Sequence, residues 1–131
     1  MKKSLLVLVA GLLGVIGIAA RAFEAHGLGA LADMSQPRMT DFSSGTEMVL
    51  LHAPVFLGLA AIADLMPRAS LLASIALIAG IILFAVPLFA YGLADTRALI
   101  LLTPVGGIAL MLGWVALAIG GALGLTRSAR S

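Results

Sequence analysis

The stretch Thr40–Met66 reads TDFSSGTEMVLLHAPVFLGLAAIADLM. It begins with polar residues and then carries Glu47 and His52 into an apolar run without formal charge, Met48–Ala63. Pro54 follows His52 by two positions, where a helix interior normally rejects proline. An acid, an imidazole and a proline are costly in or beside an apolar segment of membrane length, so they need partners elsewhere in the chain.

The composition is that of a membrane protein. Of the 131 residues, 62% are hydrophobic and 11% are charged, whereas soluble domains are about 45–50% apolar and about 25% charged. Four windows carry no formal charge: Ser4–Ala20 (17 residues), Met48–Ala63 (16), Ala69–Ala94 (26) and Ala98–Thr126 (29). A bilayer core of about 30 Å is crossed by about 20 apolar residues. We predict an all-α integral membrane four-helix bundle in one domain, 1–131, with helices over about 4–24, 46–66, 69–94 and 98–125.

The first window also has the outline of a secretory signal peptide, with Lys2 and Lys3 before the apolar run and Ala20-Arg21-Ala22 after it. The run is longer than the usual h-region of about 7–15 residues, which favours an uncleaved first transmembrane helix.

The loop charges predict the orientation. With the N-terminus inside, the inner segments hold five basic residues and the outer segments hold three: Lys2, Lys3, Arg68, Arg127 and Arg130 inside, and Arg21, Arg38 and Arg97 outside. The excess predicts both termini of a multi-pass membrane protein in the cytoplasm. Asp64 and Arg68, four residues apart, can pair at the inner end.

The first outer loop is the one sizeable polar connection. Gly27 and Gly29 are expected to end the first helix, because glycine tolerates a left-handed C-cap. Ser35 is a candidate N-cap with Pro37 in the following first turn. We therefore predict a short amphipathic helix from about Gln36 in this loop, lying at the interface or running into the second span; a disordered loop is the alternative.

Small residues at four-residue spacing predict close-packed faces on the last two helices. The candidate packing residues are Ala76, Gly80, Gly106, Gly107, Ala116, Gly120 and Gly124. Pro87 and Pro104 free helix carbonyls, which is tolerated only where neighbours satisfy them. Trp114 falls in mid-span on this count and is expected to be a packing residue.

A rise of about 1.5 Å per residue places most of the polar side chains in one layer near the outer end. We call this set the outer polar cluster: Arg21, Glu24, His26, Glu47, His52, Tyr91 and Thr103. Because hydrocarbon does not tolerate lone imidazoles and carboxylates, the cluster is predicted to meet at one place.

Several interpretations of the cluster stay open. His52 can donate to a helix carbonyl or to Tyr91 and fix helix packing, it can serve a proton or ion path, or it can ligate haem or a metal together with His26. Glu24 and Glu47 can pair with Arg21 or lie solvated at the interface. No nucleophile with a base and an orienting group, no phosphate loop and no catalytic carboxylate pair is present in the sequence, so no catalytic residue and no metal site is predicted.

The sequence also excludes a nucleic-acid-binding protein and any chemistry that needs cysteine. The net charge is +2 and the basic residues are scattered, unlike a nucleic-acid-binding face. The chain has no cysteine, which excludes disulfides, thiolate metal sites and thiol chemistry.

Three blocks of the chain resemble the YgdD-like family of small bacterial inner-membrane proteins (domain of unknown function 423), whose relatives include the eukaryotic transmembrane protein 256. The blocks are Ala22-Phe23-x-Ala25-His26-Gly27-Leu28, Phe42-x-x-Gly45 followed by His52-Ala53, and Thr103-Pro104-x-Gly106-Gly107 with Gly113-Trp114. The resemblance implies four transmembrane helices, an uncleaved first helix and no established biochemical activity.

The chain departs from that family at several positions. Arg21 and Glu24 stand where the family usually has glycine, Met48-Val49 where it has Tyr-Gln, and Phe84-Ala85-Val86-Pro87 where it has a Phe-Ser-Gly-Ser pattern. The loss of the polar Tyr-Gln and serine residues is typical of a divergent member that serves as a fixed partner of something larger.

The leading hypothesis is a small non-enzymatic membrane protein, an accessory or structural subunit of a larger membrane protein complex, in contact with the lipid bilayer and with no nucleic-acid partner. One alternative is a small transporter or proton or ion conduit using Glu47, His52 and Tyr91. The other is a haem- or quinone-binding electron-transfer module; no cofactor is predicted under the leading hypothesis.

Overall fold

A computed structural model describes residues 1–27 and 35–128, with side chains described up to residue 125. It contains four helices, α1 (Lys3–His26), α2 (Gln36–Ile62), α3 (Pro67–Ala94) and α4 (Leu102–Ser128). All four are long and apolar enough to cross a membrane. The prediction of an all-α chain with four spanning helices is confirmed.

The helices pack in chain order: α1 on α2, α2 on α3 and α3 on α4, while the other pairs touch marginally or not at all. The central pair supplies most of the buried residues. The flanking helices bury few: Leu6, Ala10 and Gly17 in α1, and Gly106, Leu110 and Gly113 in the described part of α4. Because α1 and α4 do not close against each other, the bundle is open and both flanks expose apolar side chains.

The core lies between α2 and α3, where Phe56, Leu59 and Leu77 are almost fully buried. A buried hydroxyl fastens the same two helices, because Ser70 Oγ donates to the carbonyl of Leu59 at 3.2 Å. That carbonyl lies in the last turn of α2, where backbone acceptors lack helical donors. The Ser70 side chain therefore satisfies a helix end and joins two spans with one bond.

No separate helix precedes α2 in the described residues; the segment from Gln36, where a short amphipathic helix was predicted, is the first part of α2. Ser35 is the N-cap and α2 continues without interruption from Gln36 to Ile62, through Pro54. The polar residues before Glu47 thus form extra turns of the second span rather than a separate helix. They continue as helix because α3 packs alongside them: Phe42 contacts Phe89, with ring centroids 5.0 Å apart.

The helix ends differ from expectation in their backbone conformation. α1 ends before Gly27, as expected, but Gly27 has φ −110° and its N–H donates to Phe23 O at 2.6 Å. The left-handed cap occurs instead at Asp95, with φ 51°, after α3. Aspartate tolerates this conformation better than most residues with a side chain. Gly29 lies outside the described residues.

The backbones of α3 and α4 approach each other closely at Gly106. A Cβ added to Gly106 would lie 2.5 Å from the Phe84 backbone nitrogen and 2.9 Å from the Gly80 carbonyl oxygen. The approach occurs at the turn where Pro87 deprives the Leu83 carbonyl of its helical donor. Hydrogen in place of a side chain is what allows the two backbones to meet there.

The other candidate packing residues are placed differently. A Cβ on Gly80 would meet Leu110, and one on Gly120 would meet the Ala69 side chain. Gly107 has only distant neighbours and Gly124 faces open space. Ala76 and Ala116 are half-buried.

At the end that holds the start of α1, Lys3 forms an ion pair with Asp64. Asp64 follows α2, so this contact joins the beginning of the first span to the end of the second. The Asp64 carboxylate therefore pairs with Lys3 rather than with Arg68, the partner that sequence spacing suggests.

Gly106→Ala is expected to destabilise the fold by about 1–3 kcal/mol, the usual cost of overpacking, because backbone atoms of α3 cannot move aside as a side chain can. Unfolding by SDS in mixed micelles, followed by circular dichroism, measures this change. Gly121→Ala is the matched control, since nothing lies within 4 Å of a Cβ at that position. Equal stabilities for the two variants would contradict the close approach.

Candidate functional site

The outer polar cluster divides into separate groups in the structure. In the first group, the Arg21 guanidinium binds the carboxylates of Glu24 at 3.0 Å and Glu47 at 3.6 Å, joining α1 to the middle of α2. The Arg21 and Glu47 side chains are 47% and 67% exposed. At such exposure an ion pair is worth about 0–1 kcal/mol, so this group positions charge at the rim more than it holds the fold.

A groove of about 760 Å³ lies beside this ion pair. Its residues come from the first three helices: Arg21, Ser44, Glu47, Met48, Leu50, Leu51, Pro54 and Phe84. The polar members lie at one end and the apolar members lie deeper in the spans. We call it the Arg21 groove; its single cation faces two carboxylates, so its local charge is not positive.

The second group surrounds Arg38, which lies in the first turns of α2. Its Nη2 donates to Gly92 O at 2.8 Å and its Nε lies 3.3 Å from Tyr91 O. The guanidinium also lies 3.9 Å from the Asp95 carboxylate. Carbonyls in the last turn of a helix lack helical donors and carry partial negative charge, so a cation satisfies both deficits. Arg38, with its side chain 14% exposed, therefore joins α2 to the end of α3.

Tyr91 is held by a second arginine. Its hydroxyl accepts a hydrogen bond from Arg97 Nη2 at 3.1 Å, and the Arg97 guanidinium lies 5.2 Å from the centre of the ring. The ring is buried and its oxygen points to the rim. Its contacts are therefore with a charged group at the helix end and not with His52.

The third group is deeper and centres on His52, which is 2% exposed. His52 Nδ1 lies 2.8 Å from Met48 O and must donate, because a carbonyl only accepts. That leaves Nε2 as an acceptor, and the indole N–H of Trp114 donates to it at 3.3 Å. Both ring nitrogens of a neutral imidazole are thus occupied, and α4 is joined to α2 across the bundle.

Two members of the cluster stand apart. His26 is exposed at the end of α1, and its side chain makes no hydrogen bond to any residue that the structure describes. Within the same described part of the chain, the buried Thr103 Oγ1 has no hydrogen-bond partner. The cluster is therefore three separate helix-joining groups with two unpaired members, and not one constellation.

The arginine and tryptophan partners were not part of the predicted cluster. Arg38 and Arg97 lie in predicted outer segments and Trp114 lies in mid-span, so none of the three belongs to the predicted layer. Arg38 could have been found from the sequence, since a buried cation needs a partner with negative charge. The carbonyls at the end of a neighbouring antiparallel helix provide one. In the described residues no three His, Asp or Glu side chains come together as a metal site would require.

Comparison with known proteins matches the chain to a family of unknown function and to a membrane protein. Residues 20–107 match the family described as "Protein of unknown function (DUF423)". The chain is 32% identical over 120 residues to a "UPF0382 membrane protein" of Haemophilus influenzae, an alignment that covers 92% of this chain and 94% of that protein. No solved structure matches the chain.

Arg38→Gln is expected to destabilise the protein by about 2 kcal/mol, because carbonyls at the end of α3 lose a charged donor. Arg21→Gln removes an arginine of similar position from an exposed ion pair and is expected to cost less than about 1 kcal/mol. SDS unfolding of both variants measures the contrast. A larger loss for Arg21→Gln would contradict the assigned roles.

The bond between His52 and Trp114 is testable by a double-mutant cycle of His52→Leu and Trp114→Phe. Side-chain hydrogen bonds in membrane proteins couple by about 0.6 kcal/mol on average and up to about 1.7 kcal/mol, and a value in that range is expected. Thr46→Ala with Trp114→Phe is the control cycle, because the Thr46 hydroxyl bonds within its own helix to Phe42 O. Strict additivity in the first cycle would show that the two side chains do not interact.

Proposed function

Because the chain belongs to the DUF423 family of unknown function and carries four membrane-length helices, we propose that it is a non-enzymatic accessory or structural subunit of a larger membrane protein complex. Its proposed location is the bacterial inner membrane, with both termini in the cytoplasm. One observation carries the proposal: two of the buried polar side chains inside the spans bond to a neighbouring helix. His52 and Ser70 are both engaged in this way.

A functional centre needs polar groups that are free to change partners. His52 has its donor and its acceptor occupied, and Arg38 is bonded to the end of α3. Exchanging either bond leaves a buried polar group without a partner, which is costly in hydrocarbon. These residues therefore support a rigid body and do not favour a reaction centre.

The alternatives of the sequence analysis require such an exchange. A conduit through Glu47 and His52 needs the imidazole to accept and release protons, which breaks the bond from Trp114 each time. Haem ligation by His26 and His52 needs a free imidazole lone pair, and the His52 lone pair is taken by the indole N–H. Both alternatives are therefore less well supported than the accessory role.

The outward face of α1 is the surface that we assign to the larger partner. Val15 and Ile18 are 69% and 67% exposed. Gly11 and Gly14, one turn apart on the same helix, have nothing within 4 Å of an added Cβ. Small residues between large apolar ones allow a neighbouring helix to approach closely in a membrane. A transmembrane helix of the partner is the occupant that this face suits.

Purification of the tagged full chain in mild detergent is expected to bring a stoichiometric membrane protein. Gly14→Leu is expected to lose that protein while the fold is retained, because leucine at this position meets nothing within the chain but blocks a close helix contact. Gly58→Leu on α2 is the matched control, since its added Cβ also faces open space. The measurements are the mass of the purified complex and the identity of its components.

A photo-crosslinker at Ile18 gives an independent readout, with one at Leu57, 51% exposed on α2, as the control. A discrete protein adduct from Ile18 alone is expected. A lone monomer, with no protein adduct from Ile18, would overturn the accessory role.

A further inference from the structure

We propose that the groove between the beginning of α3 and the end of α4 binds one anionic phospholipid, with an acyl chain in the groove and the phosphate on the Arg68 guanidinium. We call it the Arg68 groove. The proposal goes beyond the accessory role and does not depend on it.

The Arg68 groove has a volume of about 680 Å³, within the usual range of about 300–1,000 Å³ for ligand pockets. It is lined by Leu65, Met66, Pro67, Arg68, Ala69, Leu72, Leu112, Val115, Ala116, Ile119, Gly120, Leu123 and Gly124. Leu72 and Leu112 are 60% and 59% exposed. Since these walls belong to membrane-spanning helices and the groove is open at the surface, bilayer lipid is what meets it.

The length of the groove matches one leaflet. Along α4 it extends from Leu112 to Gly124, which is about 18 Å at a rise of about 1.5 Å per residue. Half of a hydrocarbon core of about 30 Å is about 15 Å. A single acyl chain whose headgroup lies at the Arg68 end would therefore occupy it along most of its length.

The charge at the mouth selects the headgroup. Arg68 is exposed, and among the described residues that line the groove it is the only charged one. The nearest carboxylate in sequence, Asp64, is bound by Lys3. A guanidinium binds phosphate oxygens through two parallel hydrogen bonds. The Arg21 groove does not offer its arginine to a phosphate in this way, because that arginine already faces Glu24 and Glu47.

The floor of the groove provides a substitution that fills it without disturbing the fold. Gly124 lines the groove, and a Cβ added there meets nothing within 4 Å. A leucine at this position would occupy the space that we assign to the acyl chain. Gly58 on α2 also faces open space and lies outside the groove, so Gly58→Leu is the matched control.

The test uses the purified full chain in mild detergent, titrated with dioleoylphosphatidylglycerol or dioleoylphosphatidylcholine and followed by native mass spectrometry. The wild-type protein is expected to bind phosphatidylglycerol about tenfold more tightly, because the choline cation of phosphatidylcholine offsets the charge of its phosphate; a tenfold ratio corresponds to about 1.4 kcal/mol. Arg68→Gln is expected to abolish this preference. Lys2→Gln removes a cation from the same end of the bundle and is expected to keep it.

The binding of the acyl chain in the Arg68 groove is tested separately. Gly124→Leu is expected to weaken the binding of both lipids about equally and to leave the ratio of their affinities near the wild-type value. Gly58→Leu is expected to change neither affinity. Glycerol 1-phosphate, which has the phosphate without the chains, is expected to compete poorly.

Three results would overturn the proposal. The first is an unchanged lipid preference in Arg68→Gln. The second is competition by glycerol 1-phosphate as strong as by the lipid, which would indicate a free-phosphate site. The third is a protein adduct in place of a lipid adduct from a photo-crosslinker at Leu72 in native membranes, which would assign the groove to a protein partner. None of these measurements involves the α1 face, so they are separate from the test of the accessory role.

Discussion

A polar group in hydrocarbon has no solvent to bond with, so it must find its partner inside the protein. The structure meets this constraint by placing polar contacts between different helices. Ser70 of α3 bonds to α2, Arg38 of α2 bonds to the end of α3, and Trp114 of α4 bonds to His52 of α2. Each contact satisfies a buried polar group and joins two helices at the same time.

The same constraint places formal charge at the two ends of the bundle, and the two ends differ. At the end of α1, Arg21 is balanced by two glutamates, and Arg38 lies near Asp95. At the opposite end, Lys3 pairs with Asp64, and the described lining of the groove beside it holds one arginine and no carboxylate. An excess of positive charge beside an apolar groove is what distinguishes this end as a place for an anionic lipid.

The open arrangement has a functional meaning for a chain of this size. α2 and α3 bury most of the core, while α1 and α4 each bury few residues and do not close the bundle. The flanking helices therefore present two separate lateral surfaces, one with uncovered glycines on α1 and one with the Arg68 groove. A small membrane protein that contacts a protein on one flank and lipid on the other is consistent with this division.

The contacts of the candidate site could be predicted from the sequence only in part. A salt bridge of Arg21 to the nearby glutamates was foreseeable, because these residues lie at the ends of helices that follow one another. The bond between His52 and Trp114 was not, since the two residues are 62 positions apart and periodicity does not indicate which faces of α2 and α4 meet. The long extension of α2 to Gln36 was also undetermined, because a polar segment continues as helix only where a neighbour such as Phe89 covers it.

The sequence by itself determined the class of protein, the number of spans and the positions of the charges, because the cost of burying charge in hydrocarbon acts on each residue independently of its neighbours. Only the tertiary structure decided which polar groups pair. Pairing depends on the rotation and crossing of the helices, and those are set by close approaches such as Gly106 on the α3 backbone. For that reason the two histidines, which share a depth in the sequence, have different environments: His52 is buried and bonded at both nitrogens, and His26 is exposed at the rim.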